Sequence, residues 1–314
     1  MEKLAIPSYS YGAKQYCLLT KPGIIAGNLV TTASGFALAS KGHFDIWLFL
    51  ITLVGLGLVI ASACVFNNYI DRHTDKKMAR TKNRALATGA ISFKSALLFA
   101  AFLGVAGTLL LLFLTNLLTT GVALFGFFSY VVLYSFSKYY SIHGTLIGSV
   151  AGAVPPVVGY CAVSHQLDLG AWILFAIIVL WQMPHFFAIG IYRLKDYAKA
   201  AIPILPLQKG MRTTKIHMLL YIIAFMATSA MLTVCGYTGY AFLAVSVVLS
   251  LIWAGLCIRG FNLETAVGDG KLTQSRTAVS RFKCANDTVW ARQMFIFSLV
   301  VVMAQSIMIP FSVV

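Results

Sequence analysis

Long apolar runs alternate with short polar breaks along almost the whole chain. Runs of spanning length, roughly 20 residues each, lie at about 22–40, 46–66, 94–114, 118–136, 144–163, 169–192, 216–236, 239–258 and 293–313. They predict nine membrane-crossing helices and an all-α, polytopic fold. The polar stretch before the first run contains Lys3 and Lys14 and ends at Lys21, and no small-residue cleavage site follows the run. It reads as a retained cytosolic segment, 1–20, and not as a removable signal. Residues 21–314 read as a single transmembrane domain with cytosolic loops at 67–93, 193–215 and 259–292.

Composition supports that reading, since 59% hydrophobic and 11% charged residues exceed what a soluble core absorbs. A net charge of +15 on a soluble chain would point to nucleic acid. Placing the N-terminus in the cytosol, however, puts 23 of the 24 Lys and Arg on the cytosolic side and leaves only Lys41 outside. The positive-inside bias therefore predicts a cytosolic N-terminus and an external C-terminus, and it accounts for the cations without a nucleic-acid partner. The six Cys are scattered, with no CxxC pair and no zinc-ligand spacing, so neither a disulfide framework nor a metal cage is indicated.

The acids need another explanation. Of nine carboxylates, Asp71, Asp75 and Asp196 fall at predicted cytosolic helix ends, where a charge near hydrocarbon is costly and is retained for a partner or a task. If the second helix continues past Phe66, then Asn67, Asp71 and Asp75 recur every four residues and share one face. Tyr192 and Asp196 show the same interval at the end of the sixth helix. Carboxylates so spaced suit Mg²⁺, which is commonly held by one or two carboxylates together with substrate phosphates. Two such helix ends would clamp a diphosphate between metal ions, with Arg72, Lys76, Lys77, Arg80, Lys82, Arg84, Arg193 and Lys195 supplying positive charge. The plainer reading is a set of ordinary ion pairs in a solvated loop, which contribute little. The regular repeat, doubled on a second helix, favours the shared site, as in an enzyme that handles a lipid diphosphate.

The Asn67-xxx-Asp71-xxx-Asp75 pattern resembles the first aspartate-rich motif of the UbiA superfamily of intramembrane prenyltransferases. Further stretches resemble its heme-modifying branch: LTKPGI at 19–24, NNYIDR and MARTKNR within 67–84, HGTLIGSVAGAVPPVVGYCAV at 143–163, WQMPHFFAI at 181–189 and KDYAKAAIPILP at 195–206. The resemblance implies a UbiA-type nine-helix bundle in a bacterial inner membrane. It also implies Mg²⁺-dependent transfer of a farnesyl group from farnesyl diphosphate to a vinyl group of heme B, giving heme O for heme–copper terminal oxidases. In that reading Asp71, Asp75 and Asp196 are catalytic, and with Asn67 they hold metal. Arg72, Lys76, Arg80, Lys82, Arg84, His185, Tyr192, Arg193 and Lys195 contact substrate, and heme-handling or oxidase assembly proteins are partners. Alternatives are prenylation of an aromatic quinone precursor, or a heme-carrying transporter or assembly factor; the latter has no need of the Asn67, Asp71, Asp75 repeat.

Two features depart from the wider family. The second motif is Tyr192-xxx-Asp196 and not a pair of Asp, and position 73, often acidic in the heme-modifying branch, is His here, which argues against that side chain as an essential ligand. The stretch VGDGKLTQSRTAVSRFKC at 267–284 lengthens the loop before the ninth helix and carries no assigned function. His185, beside a helix-bending Pro184, is a candidate for heme contact, and a hydrogen bond to a neighbouring helix is the plainer account. Trp181, Phe186 and Phe187 line the cavity or simply pack. The Gly144, Gly148, Gly152 stripe predicts close helix packing first and substrate clearance second. Pro155 and Pro156 are expected to break the fifth helix, and Lys21-Pro22 reads as an interfacial anchor, with a heme-propionate contact as the alternative.

Overall fold

The structure, a computed structural model, describes residues 8–265 and 285–314. The 267–284 stretch, with Asp269, lies outside them. Among the described residues fourteen α-helices follow one another: α1 Ser8–Leu19, α2 Pro22–Ser40, α3 Ile46–Asp75, α4 Ala85–Thr88, α5 Phe93–Leu114, α6 Leu117–Phe128, α7 Ser135–Tyr140, α8 Gly144–Ser164, α9 Leu169–Tyr192, α10 Leu194–Lys199, α11 Leu205–Gln208, α12 Met211–Val234, α13 Tyr240–Thr265 and α14 Ala285–Ser312. A π-helical turn, Ser129–Tyr134, joins α6 to α7 without a break. Among the described residues nine helical stretches are long and apolar enough to cross a membrane, one for each predicted run.

The turns on one side of the bundle are closed by side-chain caps. Asp45 accepts hydrogen bonds from the Trp47 and Leu48 amides, Asn116 from Thr119, and Asp168 from Ala171. Satisfying the free amides of a helix N-terminus in this way contributes about 1 kcal/mol per cap, so Asp45 and Asp168 have a structural task. On the same side the C-terminus is pinned by a bridge between Thr238 and Val313 and by the Gly239 amide donating to Ser312 O. The C-terminal ends of α3, α7 and α9 and the N-terminal ends of α2, α12 and α14 lie on the opposite side.

α2 and α8 form a seam between two groups of helices: α3, α5 and α6 on one flank, and α9, α12, α13 and α14 on the other. Two glycines set this crossing. A Cβ on Gly35 would collide with the Pro156 carbonyl, and one on Gly159 with the Thr32 carbonyl. In a bilayer such close backbone approach replaces the hydrophobic drive that lipid cannot supply. The expected break at Pro155 and Pro156 does not occur, because α8 runs unbroken from Gly144 to Ser164. Both prolines are buried, and Pro156 is the surface onto which Gly35 closes, so the helix is held by packing on its neighbours.

Candidate active site

The second spanning helix does continue past Phe66, reaching Asp75 as a 30-residue α3. This places Asn67, Asp71 and Asp75 on one buried face at the end of the span. Each meets a cation from a different element. Lys21 Nζ donates to Asn67 Oδ1 at 2.7 Å, Lys138 Nζ lies 2.6 Å from both oxygens of Asp71, and Arg84 donates to Asp75 Oδ2 at 2.8 Å. The Tyr139 hydroxyl also donates to Asp71 Oδ1 at 2.6 Å, and Asn67 Nδ2 donates to Ser135 Oγ at 3.0 Å.

Local structure explains why these groups converge. Lys21 adopts a left-handed backbone, φ 55°, immediately before Pro22, a conformation that costs a non-glycine residue energy and here turns the ammonium toward α3. Burial lowers the Lys21 pKa to about 8. Lys138 and Tyr139 are delivered by the π-helical turn, whose Tyr130 carbonyl accepts from Ser135 Oγ and whose Tyr130 and Tyr134 rings stack at 5.4 Å. π-turns recur at functional sites because they re-aim the residues that follow. The predicted glycine stripe serves the same end. A Cβ on Gly144 would stand 2.6 Å from Lys138 Cα, one on Gly148 2.8 Å from the Tyr134 ring, and one on Gly152 would strike the Gln182 amide.

The second motif is built differently from the expectation. Tyr192 ends α9, Arg193 breaks the helix, and Asp196 sits on the separate α10, so the interval of four does not put the two on one helix face. Beyond the break, α10 lies against the loop after α3. Asp196 Oδ1 accepts from the Ala79 amide at 3.3 Å, and Met78 packs with Ala200, Ile202 and Ile204. Burial raises the Tyr197 pKa to about 12 in this contact. The two motifs are therefore joined through residues 78 and 79.

The predicted cations fare unequally. Arg84 engages Asp75, whereas Arg72 turns back to stack on Tyr69 at 4.2 Å and to donate to its carbonyl, and Arg193 stacks on Tyr192 at 4.5 Å. Lys76, Lys77, Arg80, Lys82 and Lys195 are exposed, as is His73. Lys215, counted above among loop cations, is fully buried in α12, where its ammonium bonds Gly260 O and Asp287 at 2.9 Å each. Sequence reasoning missed Lys138 and Tyr139, and gave Lys21 an interfacial task with a heme-propionate contact as the alternative, not a place beside Asn67. A signal was present: Tyr134-xxx-Lys138 repeats the interval of four of the first motif, and Lys138 is the lone cation between the fourth and fifth apolar runs.

His185 lies deeper in the span, buried, with Nδ1 2.7 Å from Ser298 Oγ on α14. Trp181 stacks on its ring at 4.8 Å and donates its indole N–H to Ser298 O, and Phe295 closes the other flank at 4.9 Å. The hydrogen bond to a neighbouring helix is thus realised. It orients the ring and engages one imidazole nitrogen.

Among the described residues no three His, Cys, Asp or Glu side chains cluster closely enough to form a metal cage by themselves. The donor set instead fits an ion shared with a substrate: two buried carboxylates and an amide oxygen on one helix face, with cations positioned to meet phosphate oxygens.

A family model described as the UbiA prenyltransferase family matches residues 28–279. A protoheme IX farnesyltransferase of Protochlamydia amoebophila is 52% identical over 299 residues, covering 95% of this chain and 98% of that protein. One of Edwardsiella ictaluri is 50% identical over 303 residues, covering 96% and 95%. Among solved structures, a UbiA homolog from Archaeoglobus fulgidus bound to GPP and Mg²⁺ superposes with a TM-score of 0.61 at 13% identity, covering 92% of this chain and 99% of that one. At that identity the likeness concerns the fold alone.

Proposed function

The chain belongs to the UbiA prenyltransferase family, and we propose that it transfers a farnesyl group from farnesyl diphosphate to a vinyl group of heme B, giving heme O. The observation that carries this reading is the buried face of Asn67, Asp71 and Asp75 at the membrane boundary, linked to Asp196 through the 78–79 contact. Similar relatives named for the same reaction, at about half identity over nearly the full length, support it.

In this mechanism Asn67, Asp71, Asp75 and Asp196 are the residues that would hold Mg²⁺ against the diphosphate. When bound, the metal neutralises charge that accumulates as the allylic C–O bond breaks. Lys21, Lys138 and Arg84, which contact Asn67, Asp71 and Asp75, are placed to stabilise the departing diphosphate. A unit charge pair at ~4 Å contributes about 4 kcal/mol at an effective dielectric near 20, so a few such contacts supply much of the rate. The vinyl carbon attacks the farnesyl carbon, and water adds to the carbon next to the porphyrin ring with loss of a proton. Deprotonation of a side-chain nucleophile is not needed, which accords with a site built of cations and carboxylates. The apolar helix interior holds the farnesyl tail and the macrocycle and keeps water from the allylic centre. His185, fixed by Ser298, is assigned to the heme side.

The protein is a multi-span helical membrane protein. The reading adds that it resides in the bacterial inner membrane with the motif side cytosolic, and that it supplies heme O for terminal oxidase assembly. Pigment extraction from cells overexpressing the chain tests the activity: heme O accumulation supports it, and unchanged heme B refutes it.

A further inference from the structure

Three cations drawn from three separate elements sit on the oxygens that the first motif would offer to metal. Lys21 comes from the turn before α2, Lys138 from the end of α7 and Arg84 from the loop before α4, and their partners are consecutive motif positions on α3. These are not solvated surface pairs. The Asp75 side chain is 2% exposed, and the Lys138 and Asp71 side chains are 12% exposed each. Two unusual local features exist to make the contacts: the left-handed backbone of Lys21 and the absence of a side chain at Gly144, which lets Lys138 approach.

From this arrangement we infer that Lys21, Lys138 and Arg84 are built-in counter-ions, which couple the binding of divalent metal to the binding of diphosphate. The inference rests on the prenyl-transfer reading and deepens it. Three cations already outnumber the two carboxylates of α3. A divalent ion arriving alone must displace Lys138 from Asp71 and leave a largely buried ammonium without its partner, while adding two further charges. A diphosphate arriving alone meets cations already committed to Asn67, Asp71 and Asp75. When both arrive, the metal takes the carboxylate oxygens and the released cations take phosphate oxygens, so every charge regains a partner. Metal and diphosphate thus raise each other's affinity by the same factor, as reciprocal linkage requires.

The test is Mn²⁺ binding to the full-length protein in lipid nanodiscs, read by electron paramagnetic resonance of free Mn²⁺, with and without the unreactive farnesyl S-thiolodiphosphate. The wild-type protein is expected to bind Mn²⁺ at least about tenfold more tightly with the analogue than without it. In Lys138→Met, Mn²⁺ alone is expected to bind more tightly than in wild type, and the coupling to shrink. Lys138→Arg, which keeps the charge, is expected to restore the coupling. Equal Mn²⁺ affinity in wild type with and without analogue overturns the counter-ion inference while leaving a metal–diphosphate site in place. Failure of Mn²⁺ and analogue to bind even together overturns both the inference and the prenyl-transfer reading.

Discussion

Asp71 carries two assignments that one pair of substitutions separates. Its carboxylate holds Lys138 through two 2.6 Å contacts and accepts from Tyr139, and in the proposed mechanism it also binds metal. Asp71→Asn keeps the size and one acceptor oxygen but removes the charge. If the lost interaction is a unit charge against metal at ~4 Å, the penalty is about 4 kcal/mol at an effective dielectric near 20, or roughly a thousandfold in turnover. Loss of the Lys138 contact alone would also lower activity, so the single variant is ambiguous. In a Lys138→Gln background the ammonium is gone and only the metal assignment remains. The assay is turnover of farnesyl diphosphate and heme B in nanodiscs for wild type, both single variants and the double variant, with size-exclusion profiles confirming folded protein. The metal assignment predicts that adding Asp71→Asn to Lys138→Gln still costs at least about a hundredfold. If the second substitution costs less than about threefold, Asp71 serves only to pair Lys138, by the logic of a double-mutant cycle, and the mechanism loses its basis.

His185→Ala should alter the absorption spectrum of bound heme and leave farnesyl diphosphate affinity nearly intact, and Ser298→Ala should do the same more weakly because Ser298 fixes Nδ1; equal loss of both affinities would instead indicate a packing role beside Pro184. Gly159→Ala places a methyl against Thr32 O and Phe36 N and should destabilise by about 1–3 kcal/mol. Gly57→Ala, whose Cβ meets nothing nearer than 3.8 Å, should leave the thermal midpoint in detergent within error of wild type; equal shifts would refute the close-crossing account. Reporter tags after Gly210 and at the C-terminus should report cytosolic and external positions respectively, and a cytosolic C-terminus would sink the nine-span topology.

The spans were legible because a bilayer imposes a length and a polarity on each helix, and residues 22–40 and 169–192 match their helices end for end. The short helices α4, α10 and α11 between the spans were not, because elements of four to six residues carry no periodicity to read. The Asn67, Asp71, Asp75 face was legible from its interval. Asp196 was legible as a residue but not in its placement, since neither the break at Arg193 nor the long-range contact with Ala79 leaves a mark in the hydrophobic pattern. Lys138 was missed because its role depends on a π-turn and on Gly144, neither of which hydrophobic pattern reveals. Pro155 and Pro156 misled for the converse reason: local propensity yields to packing when neighbouring helices enclose the prolines.

The most direct measurement of the central claim is a reconstitution of the purified protein in lipid nanodiscs with Mg²⁺, farnesyl diphosphate and heme B, followed by mass spectrometry of the extracted pigment, with an aromatic quinone precursor offered in parallel. The account predicts a heme carrying one hydroxyethylfarnesyl group, formed only when Mg²⁺ and farnesyl diphosphate are both present and abolished by Asp75→Asn. Recovery of unmodified heme B, or prenylation of the quinone precursor in its place, would contradict it.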